Sequence, residues 1–186
     1  MRRVIATTLM SLDGVIDHPE QWAFDSMSEQ VQQANYDQLF ASDALLLGRE
    51  TYVGFAETWP SMRDDEAGFG ERMNSITTYV VSTTLEKAEW NNATIISENV
   101  AEEVAKLKEL PGEDILIYGV GRLAYSLLDA GVLDELRIWV HPVLFGSATT
   151  EGMITREGPK TALELAGTRT LDTGIVIHTY TPKKPA

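Results

Sequence analysis

The sequence predicts an α/β fold: a central, mostly parallel sheet flanked by helices, with a C-terminal antiparallel hairpin. Three observations predict it. Apolar runs of strand length alternate with helix-length amphipathic stretches from Arg3 to Ala130. Strand-like runs alone then follow, and the last two flank Asp172-Thr173-Gly174, a turn sequence. The chain has 186 residues and is 44% hydrophobic, which suits one core of ordinary size.

The elements follow in order. Arg3 to Leu9 reads as a strand and runs into the turn-rich segment Ser11-Leu12-Asp13-Gly14-Val15-Ile16. Ser28 to Phe40 reads as a helix that sets Val31, Ala34 and Leu39 among Gln and Glu. Ala44 to Leu47 is a short buried strand ended by Gly48-Arg49, and a helical turn or two runs from there to Trp59-Pro60. Met62 to Phe69 is acidic and loop-like. Strands are expected at Thr77 to Val81 and Thr94 to Ile96. The clearest helix carries Val100, Val104 and Leu107 on one stripe, pairs Glu102 with Lys106 at i,i+4, and stops at Pro111-Gly112. Asp114 to Tyr118 is a strand, Gly119-Val120-Gly121-Arg122 a glycine turn, and Leu123 to Ala130 a short helix. Leu136 to Val140 is a further strand, and Leu163 to Leu171 with Ile175 to Tyr180 forms the hairpin. One domain over residues 1–181 is expected, with a short tail over 182–186.

Composition removes whole classes of chemistry. Without cysteine there is no disulfide, thiolate catalysis, iron–sulfur cluster or Cys-based zinc site. His18, His141 and His178 are widely spaced, so no metal site is expected. A formal charge of −13 argues against a nucleic-acid partner, which calls for clustered Lys and Arg. No apolar run approaches the roughly 20 residues of a membrane span, and Thr7, Thr8, Ser11 and Asp13 interrupt any signal-peptide h-region. The expected location is cytoplasmic, with no membrane partner.

An acidic protein that binds an anionic ligand must do so locally. Open parallel sheets bind ligands beyond the carboxyl ends of their strands, and three such ends carry suitable groups. They are Gly48, Arg49 and Thr51; Ser82, Thr83 and Thr84, with Lys87 nearby; and Gly119, Gly121 and Arg122. Glycine lets backbone approach an anion, helix N-termini supply N–H groups, and Arg supplies a planar fork. Each group also has a plain reading as a turn or a polar strand end. Gly119-Val120-Gly121-Arg122-Leu123-Ala124 fits a Rossmann fingerprint in letters, but it comes late in the chain. The acidic pair after it, Asp134-Glu135, starts a strand instead of ending one. Arg, Ser, Thr and Lys suit a 2′-phosphate, so NADP is favoured over NAD.

At these residues the chain resembles the dihydrofolate reductase superfamily, and within it the stand-alone bacterial relatives of the riboflavin-biosynthesis reductase domain. The resemblance rests on Ser11 to Ile16, on Leu47-Gly48-Arg49-Glu50-Thr51-Tyr52, on Val81 to Thr84 and on Ile117 to Leu123. Leu127 to Gly146 adds to it. It implies a dihydrofolate-reductase-like sheet with NADPH across the strand ends. Gly48, Arg49 and Thr51 would then hold cofactor phosphates, Ser82 and Thr83 would lie near the 2′-phosphate, and Gly119, Gly121, Arg122 and Leu123 near the pyrophosphate. A homodimer is implied too. The acidic residue that binds pterin in dihydrofolate reductases has no counterpart, because Trp22-Ala23-Phe24-Asp25 stands before the helix. Riboflavin-type reductase domains usually lack the Gly-Arg-x-Thr segment that this chain has.

The function expected is NADPH-dependent reduction of a small heterocyclic or carbonyl-type substrate. One alternative is the riboflavin-pathway reduction of 5-amino-6-(5-phosphoribosylamino)uracil. The other is an NADP-binding or dimeric module without turnover. Asp13 is the candidate catalytic or substrate-contacting residue, against its reading as an Asp-Gly turn. Asp25 and Glu29 read as helix-start charges. Trp22, Phe24 and Trp59 are candidates for a planar-substrate pocket, against plain packing. His141 reads as a satisfied strand-end histidine, His178 as structural, and Asp64-Asp65-Glu66 as a solvated loop.

Overall fold

The computed structural model describes residues 1–62, 68–146, 152–156 and 158–183. Among them are β1 (Val4–Ser11), α1 (Glu29–Phe40), β2 (Ser42–Gly48), α2 (Arg49–Thr58), α3 (Phe69–Met73), β3 (Thr77–Val81) and β4 (Thr94–Ile96). After these come α4 (Val100–Glu109), β5 (Asp114–Tyr118), α5 (Arg122–Asp129), β6 (Glu135–His141), β7 (Leu163–Thr170) and β8 (Val176–Pro182). The strands form one eight-stranded sheet in the order β4-β3-β2-β5-β1-β6-β8-β7. Strands β1 to β6 run parallel, β8 is antiparallel to β6, and β7 is antiparallel to β8.

The central strands are apolar on both faces because helices cover both. On one face Val4, Ala6, Ala44, Leu46, Ile115 and Ile117 pack under α4 and α5. On the other, Ile5, Leu45, Leu47 and Leu116 meet Leu39 of α1 and Tyr52 of α2. Further along that second face, Trp139 and Ile177 meet Val31 and Ala34 of α1. The helices have local causes as well. Ser28 caps α1, its hydroxyl accepting from Val31 N at 3.2 Å. Glu102 and Glu103 open α4 and Lys106 and Lys108 close it, which complements its dipole.

Several boundaries differ from expectation. α2 runs to Thr58, longer than a turn or two, because Tyr52 is buried and its hydroxyl is hydrogen-bonded to Trp90 N and O. Residues 63–67 of the loop expected from Met62 to Phe69 lie outside the described residues; α3 starts at its last residue, Phe69, and sinks Met73 into the core. Lys106 pairs with Glu103 at 2.6 Å, one residue from the expected Glu102. β8 continues through Thr181 and Pro182, opposite Glu164 and Leu163, so the strand overruns the expected domain end by one residue. Asp64, Asp65 and Glu66 lie outside the described residues.

Candidate active site

Three neighbouring strands, β3, β2 and β5, present their carboxyl ends side by side, with Gly48 in register with Val81. From β2 the chain leaves through α2 toward β3; from β5 it leaves through α5, past β1, to β6. The two connections diverge and open a crevice between β2 and β5, the switch point where open sheets bind ligands. The three segments separated along the chain are thereby brought together. An ideal Cβ on Gly119 would stand 3.7 Å from Thr51 Oγ1, so the α2 start and the β5 turn are neighbours.

Both helix N-termini at this crevice lack a side-chain cap. The N-cap of α2 is Gly48 and that of α5 is Gly121, and neither has an atom within 4 Å of where a Cβ would be. First-turn N–H groups have no intrahelical acceptor, so these ends offer open donors on positive helix dipoles. The Gly-Val-Gly turn is fixed by its own sequence. Gly119 takes φ +91 and gives its N–H to Thr7 O at 2.8 Å, while Val120 is buried and pins the turn to the core. Arg49 and Arg122 follow the glycines and are exposed. Arg49 lies 3.9 Å from Glu50, a solvent-exposed pair worth little, so its guanidinium stays available. Leu123 packs its side chain against the core, so what it can offer an anion is backbone.

After β3, Ser82 turns inward. Its hydroxyl oxygen accepts from Thr84 N at 3.2 Å and Leu85 N at 2.9 Å, which shapes the loop, while Thr83 faces solvent. Gly48, Arg49, Thr51, Ser82, Thr83, Gly119, Gly121 and Arg122 therefore share one edge of the sheet. Open glycines, two uncapped helix starts and two exposed guanidiniums fit a dinucleotide with its phosphates at β2 and β5.

Further along that edge, Asp13 sits after β1. It accepts from Ser11 Oγ at 2.6 Å, Gly146 N at 2.8 Å and Phe145 N at 3.1 Å. The Ser11 hydroxyl, then the Gly146 amide, hold the carboxyl down at about 2. Asp13 is an ion at neutral pH and clasps the loop after β1 to the loop after β6. Leu12 N, donating to Val143 O at 2.8 Å, joins the same clasp.

The aromatic candidates separate. Trp22 is buried, donates from Nε1 to Asp17 O at 2.9 Å, and stands edge-on to His141 with ring centroids 5.4 Å apart. Phe24 is exposed. Trp59 lies elsewhere, packed against Phe55 and Phe69 beside the β2–β3 half. His141 departs from its expectation: it is 2% exposed and neither ring nitrogen has a hydrogen-bond partner. Burial pulls it down to about 4, so the imidazole is neutral at pH 7. Apolar neighbours in sequence masked this, because its partners depend on strands and loops far along the chain. His178 stacks on Tyr180 in the hairpin, with centroids 6.0 Å apart.

A family model described as the RibD C-terminal domain matches residues 2–177. A curated protein of Bacillus subtilis (strain 168), the uncharacterized protein YyaP, is 30% identical over 96% of this chain and 94% of its own length. Among solved structures, a putative riboflavin biosynthesis protein from Shewanella sp. PV-4 superposes with a TM-score of 0.73 at 17% identity, over 98% of this chain and 99% of that one. A pyrimidine reductase-like protein from Corynebacterium diphtheriae gives 0.61 at 14% identity, over 99% of this chain and 93% of that one. These likenesses show the expected dihydrofolate-reductase-like fold.

Proposed function

The chain belongs to the RibD C-terminal domain family, and on that premise we propose that it is an NADPH-dependent reductase of a small heterocyclic or carbonyl-type substrate. The observation that carries the reading is the crevice between β2 and β5, where two uncapped Gly-Arg helix starts lie side by side. The likeness to the pyrimidine reductase-like protein of Corynebacterium diphtheriae supports the heterocyclic option.

Bound NADPH would supply the hydride. The residues of the chain bind and orient. Arg49 and Arg122 neutralise phosphate oxygens, and the first-turn N–H groups of α2 and α5 donate to them. Gly48 and Gly121 leave room for that approach. Thr83, one strand further out, serves the 2′-phosphate together with the exposed Arg49 guanidinium, with Ser82 shaping the loop beneath it. Because the chain carries −13, this local positive field is what lets a polyanion settle. Asp13 is ionised and His141 neutral at pH 7, so solvent water supplies the proton that follows hydride. The working unit is a homodimer, and sedimentation equilibrium should return twice the chain mass. Among the described residues no helix is long and apolar enough to cross a membrane.

Fluorescence titration tests the cofactor. Arg49→Ala should weaken NADPH about tenfold, as expected for a lost charge-assisted hydrogen bond, and NADH much less. Equal losses for the two would remove the 2′-phosphate from the proposal. A parent protein that changes neither NADPH fluorescence nor its own melting temperature on mixing would end it.

A further inference from the structure

The face of the sheet under α1 buries more hydrogen-bonding capacity than it uses. β6 is in continuous register with β1 from Glu135 to His141, so Trp139 and His141, two residues apart, point to the same face. Trp139 packs with Val31 and Ala34, which identifies that face as the one α1 covers. Both side chains are 2% exposed. Trp139 Nε1 and both His141 ring nitrogens have no hydrogen-bond partner. Native folds rarely leave such atoms unpaired, and several along one face point to a missing partner.

Their neighbours at the same sheet edge are fully engaged. Ser11 and Asp13 bond each other and loop amides, and Trp22 Nε1 bonds Asp17 O. The unengaged set has a definite chemistry. An indole N–H only donates; a neutral imidazole donates from one nitrogen and accepts at the other. His141 is neutral at pH 7 because it is buried, so the set offers no charge. It matches a neutral planar group that carries both a carbonyl and an N–H. Position agrees with this. With cofactor phosphates between β2 and β5, the strands next along the edge are β1 and β6, and β6 lies about 10 Å from β5 at the usual strand spacing. That places β6 on the nicotinamide side.

We propose that Trp139 and His141 are positioning residues that hold the polar edge of a neutral, planar substrate entering between α1 and the β1–β6 half of the sheet, with Trp22 as its cover. The location relative to the cofactor rests on the reductase reading; the side-chain chemistry does not.

Uracil and lumazine, both neutral and planar, serve as probes, each tested with and without NADPH. In 15N-labelled protein the Trp139 indole N–H and the His141 ring nitrogens should shift on addition of probe. Trp139→Phe, which keeps an aromatic ring and loses the donor, and His141→Leu should each weaken probe binding about tenfold, with NADPH affinity unchanged. His141→Gln, which keeps a donor and an acceptor, should recover most of the loss at an unchanged melting temperature. Unshifted resonances with both probes, or parental probe affinity in both Trp139→Phe and His141→Leu, overturn the proposal. If the probe shifts persist while the parent fails to bind NADPH, the cofactor reading falls and the side-chain assignment stands.

Discussion

His141 and Asp13 stand at one edge of the sheet and are both held below their ordinary pKa values, for different reasons. Burial holds His141 at about 4, while hydrogen bonds from Ser11, Gly146 and Phe145 hold Asp13 at about 2. The signs follow from proton linkage. Between pH 6.5 and 4 the unfolded chain binds a proton at His141 that the folded one does not, so stability is full above about 6.5 and falls toward 4. The urea midpoint should fall across that window, and His141→Leu should flatten that part of the curve. The Asp13 contribution is present above its ordinary carboxylate range near 3.8 and is lost as pH falls toward 2. The two windows therefore separate on the pH axis. Asp-Gly was legible as a turn pair in sequence, but the amides of Phe145 and Gly146, 132 and 133 residues away, were not. The turn reading is present, and Asp13 also braces a second loop.

The glycine turn after β5 shows what an element adds to its residues. Gly119 and Gly121 look alike in sequence and differ in the structure. Gly119 has φ +91, whereas Gly121 has φ −137, which any residue adopts. Gly119→Ala should destabilise by about 1 kcal/mol in chemical denaturation, because its conformation is strained for an L side chain. Gly121→Ala should stay within about 0.5 kcal/mol of the parent in stability yet weaken NADPH, since its Cβ would enter open space at the start of α5. A Gly121→Ala variant that binds NADPH as tightly as the parent counts against phosphate contact there. Strands were legible at this scale: β3, β4 and β5 begin and end where apolar runs meet turn residues. α3 was not, because five residues hold too little periodicity to show a face. Its helix exists through packing of Met73, a tertiary contact.

At the scale of the whole molecule, order in the sheet grades outward. β5 and β1 lie between covered neighbours with both faces filled, whereas β7 is an edge strand of mostly exposed residues with a register shift between Leu165 and Gly167. Amide hydrogen exchange should be slowest in β1 and β5 and fastest in β7. Comparable protection in β7 would mean that its free edge is covered in solution, as by a second copy of the chain. The same layout explains how an acidic protein presents an anion site. At the β2-β5 edge, where the anion site is proposed, the α2 and α5 dipoles add to the exposed Arg49 and Arg122.

The sequence by itself determined the class of fold, most strand limits and the three phosphate-suited segments. Those depend on local periodicity, turn chemistry and residue type, which neighbouring residues carry. Tertiary structure alone decided that β5 inserts between β1 and β2, and so that the Gly48 and Gly121 helix starts flank one crevice. It also decided that Asp13 is engaged as an anchor while His141 and Trp139 are left unpaired. Hydrogen-bond partners and burial are set by strands more than a hundred residues apart along the chain, and no local window of sequence contains them.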